Sequence, residues 1–286
     1  MKNPHLFLLL TLFSLNMNAQ RTSRTRNTPK DEKYTAHNKG KFFVSWGGNR
    51  DSYSTSDVTF KGDDYNFTLY DIKAHDKPKG WHLDYINPAR MTIPQTNFRM
   101  GYFINDHYSI AIGWDHMKYV MYQFEPVKIN GYYPNEGSYA ENLPGNQVWL
   151  TEDFLTYEHT DGLNYVNAEI SRHDDIAKLL KLDFGNSDKI QFNLTEGVGA
   201  GVLYPKTNTK LLGKTRHDDF HVSGYGVSMK AGLNITFLKY FYVQGELKGG
   251  YINMPDIRTT SSSADTASQD FFFFQNIIAF GGIFRI

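Results

Sequence analysis

From residue 190 to residue 204 the chain alternates between two chemically different faces. Ile190, Phe192, Leu194, Val198, Ala200, Val202 and Tyr204 occupy one, interrupted only by Glu196. Gln191, Asn193, Thr195, Gly197, Gly199 and Gly201 occupy the other. Successive side chains of a strand point to opposite faces, so this pattern predicts a β-strand separating an apolar environment from a polar one. It recurs at 225–235, 241–251 and 271–286, where Phe272, Phe274, Ile278, Phe280, Phe284 and Ile286 oppose Gln275, Ala279, Gly281 and Arg285. Earlier segments at 42–49, 97–104, 108–121 and 162–172 bring the expected strands to eight. Most have about the ten residues that a tilted strand needs to cross an outer membrane.

A soluble β-sandwich and a membrane barrel both fit such strands, and the connections separate them. Asn105-Asp106-His107 and Leu238-Lys239-Tyr240 are tight turns, whereas 50–96, 122–161, 205–218 and 255–270 are long. With the first strand starting in the periplasm, every long segment falls on the outer side. The short turns and the 173–188 connection, with a helix expected from Asp174 to Lys181, fall on the inner side. Short periplasmic turns and long extracellular loops are the outer-membrane pattern. Tyr102, Tyr108, Trp114, Tyr204, Tyr225, Phe241 and Tyr251 lie near the ends of the apolar bands, where interfacial girdles belong. The fold class expected is all-β: a closed antiparallel transmembrane β-barrel of eight strands with long extracellular loops.

Composition removes other classes. Lys and Arg total 30, as do Asp and Glu, so no net positive charge recommends a nucleic-acid partner. The absence of cysteine excludes disulfides, thiolate metal sites and lipoprotein acylation. Lys2, the apolar run Leu6 to Leu15 and Ala19 have the layout of a secretory signal peptide, and the run is too short to span a bilayer as a helix. The expected organisation is a signal peptide over 1–19, a disordered periplasmic N-terminus over 20–40 and a barrel domain over 41–286.

These dyad repeats, the loop asymmetry and the closing Phe-rich strand resemble the small OmpA-like and porin-like outer-membrane β-barrel superfamily, across residues 40–286. The resemblance implies a Gram-negative envelope protein in contact with outer-membrane lipid and lipopolysaccharide. Phe284, two residues before Ile286, is similar to the aromatic signal that the barrel-assembly machinery reads in such proteins. A peptidoglycan-binding domain is not expected, because the sequence stops with the barrel. Relatives of this kind serve as adhesins, accessory subunits, narrow pores or bilayer-remodelling enzymes, so the fold alone does not choose a function.

Three sets of residues are candidates for chemistry. Arg99, Asp115, Glu169, Lys230, Glu246 and Lys248 fall on the inward face, with Glu196 ambiguous because it shares the apolar one. An eight-stranded barrel has room only for its own side chains, and a buried charge without a partner is costly, so these charges are expected to pair and plug the lumen. A narrow ion path is the alternative. Inward glycines (Gly101, Gly113, Gly199, Gly201, Gly232, Gly250) are expected to leave room for the long Arg and Lys side chains. The second set is Glu158, His159 and Asp161. His159-Thr160-Asp161 is similar to the His-x-Ser pair of lipid A 3-O-deacylase barrels, but it carries Asp where that family has its nucleophilic Ser. The third is Thr266, within Asp265-Thr266-Ala267, a candidate O-glycosylation acceptor. Gly62-Asp63-Asp64 does not make a complete calcium loop, and neither a metal nor a cofactor is expected. The Arg172-His173-Asp174-Asp175 and Arg216-His217-Asp218-Asp219 clusters read as solvated turns.

The long loops carry the remaining signal. Val58, Phe60, Phe67, Leu69 and Ile72 flank Gly62-Asp63-Asp64, as in a hairpin rising above the membrane. Tyr132, Tyr133, Tyr139 and Trp149 give the second loop the same aromatic character. Such loops either cap the barrel mouth or meet a partner. Thr259 to Gln269 is small and polar and reads as mobile. The expected function is therefore non-enzymatic: an accessory subunit or adhesin-like barrel that binds an envelope protein or surface ligand through loops 50–96 and 122–161. A lipid A-modifying hydrolase and a narrow pore are the alternatives.

Overall fold

The computed structural model describes residues 38–80, 94–182, 189–217 and 219–285. In chain order the strands are β1 (Phe42–Tyr53), β2 (Ser56–Lys61), β3 (Asn66–Ile72), β4 (Ala74–His75), β5 (Thr96–Phe103) and β6 (Tyr108–Met117). They continue with β7 (Val120–Met121), β8 (Pro126–Tyr132), β9 (Asn142–Leu143), β10 (Gln147–Trp149), β11 (Leu155–Glu158) and β12 (Leu163–Asp175). After the short helix α1 (Ile176–Leu180) come β13 (Ile190–Leu203), β14 (Asn208–Leu211), β15 (Gly224–Phe237), β16 (Phe241–Arg258) and β17 (Thr266–Phe284). The expected signal peptide and most of the N-terminal segment lie outside the described residues.

Eight of these strands form a ring. β1, β5, β6, β12, β13, β15, β16 and β17 pair antiparallel in that order, and β17 returns to β1 from Phe42↔Phe284 to Tyr53↔Phe273. All eight expected segments lie in this ring, although β6 leaves it at Met117. The 150–161 segment supplies β11, which pairs with β14 above the ring and adds no ninth barrel strand.

Local chemistry explains the inner turns. Asn105 Oδ1 accepts from the His107 and Tyr108 amides, each at 2.8 Å, closing the β5–β6 turn. Leu238 and Lys239 both have positive φ, the backbone of a tight hairpin whose twist matches its strands. Asp175 Oδ1 accepts from the Ala177 amide at 2.8 Å and caps α1. Arg172, His173 and Asp174 are the end of β12 rather than a turn. Their paired backbone leaves Arg172 free to hold Asp174 at 2.6 Å on the outer face, with Glu196 directly opposite in β13. Glu196 is thus level with Tyr108 at the periplasmic rim, where a charge reaches water.

The outward face is apolar and exposed. Ile112, Ile170, Leu233, Ile278 and Phe280 each leave more than half their surface uncovered. Held in water, such a continuous belt would forfeit about 25 cal/mol for every Å² of apolar surface, and a bilayer removes that cost. Phe42, Tyr102 and Phe284 stack at one rim, and Tyr204, Tyr225 and Tyr251 stand toward the other. Along β15 the aromatics Tyr225 and Phe237 close the two ends of the band, about 30 Å apart for a strand tilted as barrels require.

β16 and β17 run beyond the membrane, with a bulge between Met254 and Ile257. β2 continues along the upper end of β17, pairing Lys61 with Thr266 and Val58 with Gln269. β3, β8, β10 and β9 then extend this sheet in that order. The fourth outer connection accordingly shrinks to residues 259–265 and is tied down, which corrects the expectation of a mobile Thr259–Gln269. Thr259, Thr260 and Asp265 are buried, and Thr260 Oγ1 donates to Asp265 Oδ2 at 2.7 Å. Small polar residues are used here for side-chain hydrogen bonds that close a turn, a role that composition does not distinguish from disorder.

Candidate functional site

The lumen fills in layers because inward residues alternate with the lipid-facing ones. At the periplasmic mouth Phe43, Phe103, Tyr242 and Ile283 form a small apolar cluster. Gly101 makes room for it: a Cβ there would stand 2.4 Å from the Phe43 ring. Gly281 does the same for Tyr242, and Gly250 for Phe273. These lumen glycines therefore accommodate rings. Gly197 stands against Lys230, whereas Gly199, one of the glycines expected to leave room for Arg and Lys side chains, stands against Glu169 and Ser228.

Above that cluster the six expected charges meet. Arg99 donates through Nε to Glu169 at 2.8 Å, through Nη1 to Asp115 at 3.0 Å and through Nη2 to Glu246 at 3.4 Å. Lys230 reaches Glu169 at 2.6 Å and lies 3.3 Å from Glu246. Lys248 reaches Asp115 at 2.5 Å and Glu169 at 2.8 Å. None of these side chains is more than 7% exposed. Three cations and three carboxylates close the charge balance, which is what makes their burial bearable. Asn97 and Asn167 donate further hydrogen bonds to Asp115, at 2.5 and 3.2 Å.

The loops cap the barrel from outside with a second hydrophobic core. Val58, Phe60, Tyr65, Phe67, Leu69, Val148, Leu150, Phe154, Leu155 and Tyr157 are fully or almost fully buried in it, and Met117, Leu163, Tyr165, Leu203 and Phe273 from the barrel strands complete it below. The first long loop does form the expected hairpin, with Phe60 paired to Phe67 and their rings stacked at 5.3 Å. At the hairpin tip Asp64 accepts from Lys214 Nζ at 2.7 Å, and this bond holds its carboxyl below the ordinary range. A lysine thus already occupies the acidic Gly62-Asp63-Asp64 turn.

Outside this core several aromatics stay exposed. Tyr122 is 44% exposed, Phe124 60% and Trp149 38%, and backbone bonds from Phe124 to Leu150 and from Trp149 to Glu141 set two of them on one ordered stretch. β9 forms the end of this sheet.

Glu158, His159 and Asp161 do not converge. The extended chain turns His159 into the cap core, where its ring packs on Tyr157 at 5.0 Å and Tyr119 at 5.7 Å, and Nδ1 bonds Thr207 Oγ1 at 3.0 Å. Burial pushes the His159 pKa down to about 3. Glu158 faces the other way, toward Lys77 Nζ at 3.3 Å and Thr160 Oγ1 at 2.9 Å, and Asp161 is exposed. Alternation turns Glu158 away from His159, and Asp161 lies in the turn past the end of β11, so this string does not assemble a His–carboxylate pair. Thr266 is half-buried and paired on both sides, to Arg258 and Lys61.

Sequence reasoning passed over a third lumen layer, between the ion network and the cap. It comprises Asn49, Asp51 and Gln95, together with Asp76 from the loop after β4 and Gln275. Asn49 and Asp51 continue the inward parity of β1 past the tryptophan where its apolar alternation ends, and that parity was the available signal.

No family model matches the chain, and no curated protein does. Among solved structures it is similar to OprG, an outer membrane protein of Pseudomonas aeruginosa, at 12% identity and a TM-score of 0.37, covering 88% of this chain and 100% of that one. Ail, the attachment invasion locus protein of Yersinia pestis, matches at 10% identity and a TM-score of 0.30, over 86% and 99%. LpxR from Salmonella typhimurium matches at 8% and 0.23, over 86% and 100%. The closed ring and the apolar belt facing outward are what a bilayer demands of a spanning sheet. The chain is a closed antiparallel β-barrel of eight ring strands whose outward apolar belt suits it to span a membrane.

Proposed function

We propose that the barrel is a sealed, non-enzymatic anchor whose ordered outer loops dock an envelope protein. The observation that carries this reading is the cap. Four connections are folded into paired strands around a shared hydrophobic core, while Tyr122, Phe124 and Trp149 are left facing solvent on that scaffold. Aromatics held on rigid backbone supply contact area at little entropic cost, and they dominate the energetics of protein interfaces. The paired lumen charges support the sealed part of the reading, since a conducting path would need water between them. Outer-membrane lipid and lipopolysaccharide surround the belt, and the barrel-assembly machinery inserts it. The exposed parts of the loops, in the 50–96 and 122–161 stretches, supply the docking face.

The test is co-purification from gently solubilised native membranes. The wild-type protein is expected to bring down a stoichiometric envelope protein, and the Phe124→Ser, Trp149→Ser double variant to lose it at unchanged expression. A clean wild-type monomer, or equal capture by the double variant, would sink the proposal.

A further inference from the structure

The layer between ion network and cap holds two carboxylates, with the charges of Arg50 and Lys118 felt at Asp76. Asp51, on β1, and Asp76, in the loop above it, lie close enough that the Asp51 amide donates to Asp76 Oδ2 at 2.9 Å. Among the described residues neither makes an ion pair, unlike the carboxylates one layer below. Gln95 is wedged between them: its Nε2 faces Asp51 Oδ2 at 2.9 Å, Asp76 Oδ1 at 2.6 Å and Asn49 Oδ1 at 3.1 Å. An amide has two hydrogens for these three acceptors, so one is always short.

The same place is ringed by unused polar atoms. Asp51 Oδ1 and Gln95 Oε1 are buried without a hydrogen-bond partner, as is Gln275 Oε1, while the Gln275 amide approaches the Asp51 carboxylate. Gln275 is completely buried and stands directly opposite Asp51 in the β1–β17 ladder, so its amide is aimed at the carboxylate. Buried carboxylate and amide oxygens without donors are costly, and a bound cation would satisfy them together. The donors are all oxygens, two from carboxylates and three from the amides of Asn49, Gln95 and Gln275. Nitrogen and sulfur ligands are missing from the set. Such a set suits a hard divalent ion, whose flexible coordination accepts amide carbonyls, and it argues against zinc or copper. Turning the Gln95 amide over presents Oε1 to the same centre, an arrangement that is repulsive among carboxylates alone and favourable around a cation.

The geometry points to a calcium-type divalent-cation site formed by Asp51, Asp76, Gln95, Gln275 and Asn49, joining the barrel wall to the first outer loop. The ion neutralises the two carboxylates and clamps the loop that carries Asp76 onto β1. With two carboxylates its affinity belongs to the weak extracellular class, a dissociation constant on the order of 0.1–1 mM.

The experiment uses the full-length protein in detergent micelles, stripped with EDTA and titrated calorimetrically with calcium chloride. Wild type should bind one calcium per chain, and calcium should raise its thermal midpoint. Asp51→Asn should weaken binding at least tenfold and lose the thermal response. Asp76→Asn carries the same expectation at a position outside the barrel ring, so it decides the matter if the Asp51 variant fails to fold. Gln275→Leu, which leaves both carboxylates in place, should weaken binding by a smaller factor. The inference is overturned by no saturable binding up to several tens of millimolar calcium, or by binding that Asp76→Asn leaves unchanged.

Discussion

Removing the charge of Glu169 tests the lumen network at its most connected point. Its carboxylate accepts from Arg99 Nε at 2.8 Å, Lys230 Nζ at 2.6 Å and Lys248 Nζ at 2.8 Å. Glu169→Gln conserves volume but leaves three cations facing two carboxylates, and it turns an NH₂ group toward donors. Breaking a buried pair on one side costs about 3–5 kcal/mol, because a charge is left buried without compensation. With a urea slope of about 2–3 kcal/mol per molar, the unfolding midpoint should fall by about 1–2 M. The assay is equilibrium urea unfolding in micelles, followed by tryptophan fluorescence. Adding Lys230→Met restores two against two, so the double variant should recover part of the loss, with a coupling of about 1–3 kcal/mol in the cycle. A Glu169→Gln midpoint within about 0.3 M of wild type, or strictly additive effects, would refute the reasoning.

The cap makes predictions of its own. Phe154 is fully buried against Phe67 and Tyr133, so Phe154→Ala should cost the cap about 3–5 kcal/mol and expose the 118–162 connection to limited proteolysis while the ring stays intact; an unchanged cleavage pattern would count against a packed cap. Burial keeps His159 neutral down to about pH 3, whereas the unfolded ring takes a proton near 6.5. Below that pH the unfolded state binds more protons, so stability present above 6.5 is lost as pH falls toward 3, by about 2–3 kcal/mol at pH 4.5. His159→Phe should remove that loss when cap unfolding is compared at pH 7.5 and 4.5, and equal acid sensitivity in the two proteins would contradict the buried placement.

The ring was legible because lipid imposes one rule on every strand. Each outward residue must be apolar, and so Ile190 through Tyr204 reads correctly without knowledge of its neighbours. The same parity assigned the six lumen charges to one face, and neutrality required them to meet. The cap was less legible, since its residues answer to each other: Phe60, Phe67 and Phe154 are buried by tertiary packing between connections distant in sequence. Thr259–Asp265 shows the opposite failure, where polar composition conceals a turn closed by its own side chains. The Glu158–His159–Asp161 string misleads because the strand turns Glu158 and His159 apart and Asp161 falls in the turn beyond it. Asp51 was missed at a place where the outward alternation had already stopped at Arg50 and only the inward half of the pattern persisted.

A shut lumen would move function from the barrel interior to its loops. Planar-bilayer recording of the purified full-length protein tests this directly. The closed network predicts no steady conductance for wild type, with current appearing when Arg99 and Lys248 are both replaced by Ala and the plug loses two of its three cations. Stable unitary openings of the wild-type protein, unaltered by that double substitution, would contradict it.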